Sequence, residues 1–207
     1  MILEMPLVLV IVFFSVVCHE IAHGYVAYLL GDPTAWRMGR LSFNPLVHID
    51  LFGTIILPGL LLLTGSRFLF AWAKPVPVNP QFFRNRKKGM MLVAVAGPLT
   101  NLGIALILTV LVHLAGSFVP EFLSSALAVA ALINIVLMVF NLLPIPPLDG
   151  SRIVARFLKG KTLWQYQRLE RYGMFIVFGL LFMGVISSIL NPVMIETVRI
   201  LNLSRYL

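Results

Sequence analysis

His19, Glu20 and His23 lie in an HEIAH run, inside a stretch from Met5 to Leu30 that is otherwise almost wholly apolar. Residues four apart share a helix face, so both imidazoles can present nitrogens to one ion. In an HExxH pattern the ion is zinc, and the intervening glutamate acts on water as general base. The pattern alone is of middling specificity. Its setting sharpens it, because ionisable groups are costly in hydrocarbon and are kept there for function. The bland reading is a pair of structural histidines bonding across helices, with Glu20 merely orienting them.

A catalytic zinc takes three protein ligands and keeps one position open. Asp149 is the candidate for the third. It sits at the end of the run Asn141-Leu-Leu-Pro144-Ile-Pro146-Pro147-Leu-Asp149-Gly150. The prolines must end the preceding helix and leave an extended strip with free carbonyls, from which Asp149 projects. A plain turn residue ahead of Gly150 is the alternative. Cys18 adjoins His19 but points about 100° away around the helix, so it is read as packing, not as a ligand.

These residues must be positioned by membrane-spanning helices. The chain has 207 residues, 59% hydrophobic and 12% charged. Soluble domains are about half apolar and about a quarter charged, so this is an integral membrane protein. Residues 1–207 read as a single integral-membrane domain, since the longest polar interval, Arg152 to Arg171, is too short to fold around its own core. The N-terminal run is too long for a cleaved signal peptide and is read as retained. The formal charge of +8 clusters beside the apolar spans. That fits membrane orientation and anionic lipid contact rather than nucleic acid.

Four segments can cross a core of about 30 Å, which needs about 20 residues. They are Met5 to Leu30, Gly89 to Leu114, Phe122 to Leu143 and Tyr172 to Leu190. The first is expected to stop at Gly31-Asp32-Pro33. Leu51 to Leu63 is short, and Phe68 to Ala73 follows it closely. Basic residues fill the Lys74–Lys88 and Arg152–Arg171 intervals, whereas the connection near Glu121 has none. The positive-inside rule puts both basic intervals in the cytoplasm. If Leu51–Leu63 crossed alone, Arg37 and Arg40 would face the other way, so a re-entrant hairpin is expected. Short alternating runs between Trp36 and Ile56 suggest small β-strands lining a cavity. The fold class expected is therefore all-α and polytopic: about four full transmembrane helices, a re-entrant hairpin and short β-strands between the first two long spans. The tail after Pro192 reads as an interfacial amphipathic helix or a frayed end.

Depth tests the ligand set. His19 is about 14 residues into the first span, roughly 21 Å at 1.5 Å per residue, in the cytoplasmic half. The span from Phe122 runs the same way and delivers Asp149 to that side.

HEIAH in the first span, Gly97-Pro98-Leu99-Thr100-Asn101 in the next and NLLPIPPLDG after the third resemble, in that order, the site-2 intramembrane metalloprotease family. The segments Leu41–Asp50 and Ala73–Asn79 are similar to its compact branch, which has no inserted PDZ or CBS domain. The resemblance implies one Zn2+ held by His19, His23 and Asp149, with Glu20 activating water. Asn141 would bond the substrate strand or the developing oxyanion, although an amide bonding between helices is nearly as good a reading. Gly97 and Asn101 read as a close-packing face, His48 as a polar turn residue and His113 as interfacial.

The function expected is zinc-dependent cleavage of peptide bonds in or near membrane segments of other proteins. Its partners would be a membrane-protein substrate and the bilayer, with the oligomeric state undefined. A prokaryotic cell membrane, with the site toward the cytoplasm, is the expected location. The rivals are a zinc transporter, which should show several metal sites along a route, and an inactive chaperone or sensor on the same scaffold.

Overall fold

The computed structural model describes residues 4–65, 72–115 and 118–207. Helix α1 (Glu4–Leu29) is followed by the short α2 (Thr34–Arg37), a 3-10 turn at Pro45–His48, a π-turn at Leu51–Ile56 and α3 (Leu57–Leu63). The long α4 (Arg86–Ala115) and α5 (Glu121–Asn141) come next, then α6 (Asp149–Phe157), α7 (Gly160–Arg168), α8 (Gly173–Phe182) and α9 (Val185–Ile200). α1, α4 and α5 are each long and apolar enough to span a membrane, and the α7–α9 stretch makes a fourth span if its bent halves count as one.

α4 is the centre, packing against α1, α5 and α6, while α9 leans on α5. Ala126, Ala128, Ala130 and Ala131 are fully buried along α5. Small side chains let helices approach closely where lipid supplies no hydrophobic drive of its own. At one end Leu108, Val112 and Ala128 close over Ile11 and Val12 of α1, and Leu203 of the tail is buried among them. The tail is therefore packed, with Tyr206 edge-on to His113 at 5.5 Å. At the other end Ala27, Phe83 and Val93 form a second cluster. Outward along α1, α4 and α8 large apolar residues such as Val10, Ile107, Leu111, Phe175 and Phe182 are exposed. This is the surface hydrocarbon would cover.

α1 stops where the glycine signal placed it, with Gly31 at φ +99°. Asp32 then accepts from the Thr34 amide at 3.0 Å and from the Asn79 amide at 2.6 Å. The last span is not one straight helix. Gly184 takes φ +75°, and α8 and α9 meet there at 66°.

The expected β-strands are absent: no strand occurs among the described residues, and Trp36–Ile56 is helical turns and bends. Local bonds win over pairing. Asn44 Oδ1 accepts from the Leu46 amide at 3.1 Å, and Asp50 Oδ1 from the Gly53 amide at 2.7 Å. Such side-chain bonds hold the backbone in tight turns. The extended strip 72–79 alongside could have been a partner, but Pro75 and Pro77 remove the donors a ladder needs. Two backbone bonds survive, Trp72 to the Gly53 carbonyl at 3.2 Å and Lys74 to the His48 carbonyl at 2.8 Å. The Trp72–Gly53 bond brings residue 72 back to Gly53, near where the excursion through α3 begins. Of the second apolar piece, residues 68–71 lie outside the described residues.

Candidate metal centre

α1 turns His19 and His23 to one side, with their Nε2 atoms 2.9 Å apart. Asp149 opens α6, and its Oδ2 stands 3.2 Å from His19 Nε2 and 3.3 Å from His23 Nε2. That oxygen is buried and has no hydrogen-bond partner. Glu20 also offers an oxygen within 4.8 Å of both imidazoles, but its Oε2 already accepts from the Val76 amide at 2.8 Å. Val76 stands between two prolines, so its amide is the lone donor of that stretch.

Hydrogen-bond accounting shows what belongs between these atoms. His23 Nδ1 lies 2.7 Å from the Val93 carbonyl, which can only accept, so Nδ1 carries the proton and a neutral ring leaves Nε2 bare. For His19 the assignment runs through three helices. Asn134 of α5 donates its amide to the Ala130 carbonyl at 2.9 Å and to Ser15 Oγ at 3.0 Å. Its Oδ1 must then accept, and it does so from Asn101 Nδ2 at 2.9 Å. Asn101 therefore turns Oδ1 to His19 Nδ1, 2.5 Å away, and that nitrogen holds the proton. Asn101 and Asn134 are both 0% exposed. Two bare imidazole nitrogens and a carboxylate oxygen thus face each other, three acceptors without a donor. With both rings neutral, a cation between these atoms makes the arrangement favourable, and two nitrogens with one oxygen suit zinc.

Gly97 of α4 forms the wall beside them. A Cβ there would sit 2.5 Å from the Nε2 of each histidine. Pro98 follows and has no amide to give to the Ala94 carbonyl, one turn back. The donors open onto a cavity of about 350 Å³, bordered by Pro75, Val76 and Val78 on one side and by Asn141, Leu148 and Arg152 on another. Asn141 donates Nδ2 to the Leu137 carbonyl at 3.0 Å, which leaves Oδ1 as an acceptor. Behind the strip, Arg40 is 6% exposed and gives NH2 to the Lys74 carbonyl at 2.8 Å. His48 is fully buried, does not line this cavity, and donates Nε2–H to the Ser42 carbonyl at 2.9 Å.

The structure therefore brings His19, Glu20, His23 and Asp149 together, with Asn141 on the cavity wall. Sequence reasoning did not find the His19–Asn101–Asn134–Ser15 chain, and it took Asn101 only as part of a packing face. The available signal was Asn134, an amide in mid-span where an unpaired polar group is expensive.

A two-histidine, one-carboxylate site with an adjacent glutamate, set among apolar helices, defines a membrane-embedded metalloprotease. Comparison with known proteins agrees. The family model described as Peptidase family M50 matches residues 116–184. The chain is 41% identical over 191 residues to "Putative zinc metalloprotease YwhC" of Bacillus subtilis, covering 89% of this chain and 83% of that one. It is 29% identical over 167 residues to "Putative zinc metalloprotease Rip2" of Mycolicibacterium smegmatis, covering 81% and 63%. With "Putative zinc metalloprotease MJ0611" of Methanocaldococcus jannaschii the identity is 31% over 137 residues, 66% and 62% of the two chains. No solved structure matches. The chain belongs to peptidase family M50, the site-2 proteases, and shows no PDZ or CBS domain between its described helices.

Proposed function

We propose that this metalloprotease cleaves peptide bonds in or beside the membrane-spanning segments of other membrane proteins, using one zinc ion held by His19, His23 and Asp149. The observation that carries the reading is the triangle of His19 Nε2, His23 Nε2 and Asp149 Oδ2, all within 3.3 Å of one another between α1 and α6. Zinc bound there supplies Lewis acidity toward a scissile carbonyl and makes water acidic enough to ionise near pH 7.

The chain's own residues do the rest. Glu20 takes the proton from water and passes it to the leaving amine. The Val76 amide holds one Glu20 oxygen, which orients the carboxylate and leaves the other oxygen for the proton. Asn141 presents Oδ1, an acceptor suited to a substrate backbone N–H. This favours holding the substrate strand over stabilising an oxyanion, since one Asn141 donor is already committed to Leu137. A helical substrate must unwind locally to expose its carbonyl. By the charge pattern of the loops, the site faces the cytoplasmic side of a prokaryotic cell membrane.

The decisive experiment compares wild type with Glu20→Gln in detergent. Retained zinc with cleavage of a membrane-anchored reporter abolished is the expected outcome. Unaltered cleavage, or zinc lost together with a transport activity, overturns the reading. Against transport, one His/Cys/Asp/Glu group suited to a metal occurs among the described residues, where a route would need several.

A further inference from the structure

A second cavity, of about 260 Å³, lies beside the metal cavity and shares Met90 and Arg152 with it. It is walled by the first turn of α4, by α6, by α7 and by Pro146. Four cations line it: Arg86 and Lys87 from α4, and Arg152 and Arg156 from α6. The last two are four apart and share a face of their helix.

Glu170 is the single acidic side chain in the lining, and it is taken up by an ion pair with Arg152. Lys87 gives Nζ to the Leu158 carbonyl at 2.7 Å. Arg86 and Arg156 make no ion pair or side-chain hydrogen bond with a described residue. A concave wall with three uncompensated positive charges concentrates potential and selects an anion. The donors approach from separate helices, so they suit a group with three or more oxygens better than a two-oxygen carboxylate. Guanidinium forks bind phosphate oxygens in pairs. The volume falls just under the roughly 300–1,000 Å³ of small-molecule sites, enough for a phosphate-bearing head but not a long chain.

We infer that this pocket is a phosphate-anion site with Arg86 and Arg156 as its free prongs, occupied by an anionic phospholipid headgroup or by a soluble phosphate. It lies at the end of the bundle where α4 begins and α5 has just ended, the level at which a spanning protein meets headgroups. Its occupant would rest on α6, the helix whose first residue is Asp149.

The test uses the full-length protein in nanodiscs of phosphatidylcholine. One arm titrates inorganic phosphate, and the other replaces part of the lipid with phosphatidylglycerol. Tm and lipid retained in native mass spectrometry are read for wild type, for Arg86→Gln/Arg156→Gln and for Arg84→Gln/Lys88→Gln. The last pair removes the same charge from beside the pocket, outside its lining. Zinc content confirms that each variant has folded. The expected result is a rise in Tm with at least one probe, and binding weakened about tenfold or more in the pocket variant alone. A response to phosphate in neutral nanodiscs assigns a soluble ligand, and a response to phosphatidylglycerol alone assigns the headgroup. Equal weakening in both variants means a diffuse basic surface and overturns the site, as does no response to either probe.

Discussion

Gly97 shows how little space His19 and His23 leave beside α4. A methyl group there would press on both Nε2 atoms at 2.5 Å, and α4 cannot retreat because it is packed on three sides. Gly97→Ala should therefore yield folded protein without zinc, measured as metal content after purification. Asn101 allows a finer test. Asn101→Leu removes the acceptor for His19 Nδ1 and should weaken zinc about 10–100-fold, the usual cost of losing such a partner. Asn101→Asp keeps that acceptor and should retain most of the affinity, read by competition with a chelator. A residue that merely pinned α4 to α5 would lose equally in both variants. At this scale the sequence was informative about chemistry and silent about support. HEIAH and Asp149 announced themselves by type and spacing. The tautomer of His19, in contrast, depends on Ser15 and Asn134, which become neighbours only when three helices pack.

Among the elements, the extended strip 72–79 is held from three directions. The Asn79 amide is tied to Asp32, the Val76 amide to Glu20, and the Lys74 and Pro75 carbonyls to Arg40. Asp32→Ala leaves the Asn79 and Thr34 amides without this partner, at a cost of about 1–3 kcal/mol for each that stays buried and unpaired. It should lower Tm in detergent and reduce cleavage more than zinc content, because the strip borders the cavity without touching the metal donors. Gly53 lies against the Trp72 ring, which a Cβ would meet at 2.2 Å. Gly53→Val should open the base of the α3 excursion and expose the segment to limited proteolysis. Sequence patterning found the three long spans and the stop at Gly31 because apolar length and glycine chemistry are local. It misread Trp36–Ile56 as strands because alternation there is equally compatible with turns, and the deciding bonds are the carboxamide of Asn44 and the carboxylate of Asp50. The bend at Gly184 was likewise hidden, since one glycine in an apolar run does not disclose its φ.

For the whole molecule, the ion should act as a fastener. Zinc binds only the folded arrangement, so at about 100 times its dissociation constant it adds about 2.7 kcal/mol of stability. A chelator should lower the Tm of wild type and of Glu20→Gln alike, and should leave His23→Ala unmoved, because that variant has no complete site to lose. The donor atoms come from the first helix and from the sixth, and the later one follows the last of the three long spans. A chain halted partway through synthesis, with α1 made and α6 still to come, owns the two imidazoles and Glu20 but lacks the Asp149 carboxylate. The three-residue grouping is thus complete only once the first 149 of the 207 residues have been made, with α7, α8 and α9 still to follow.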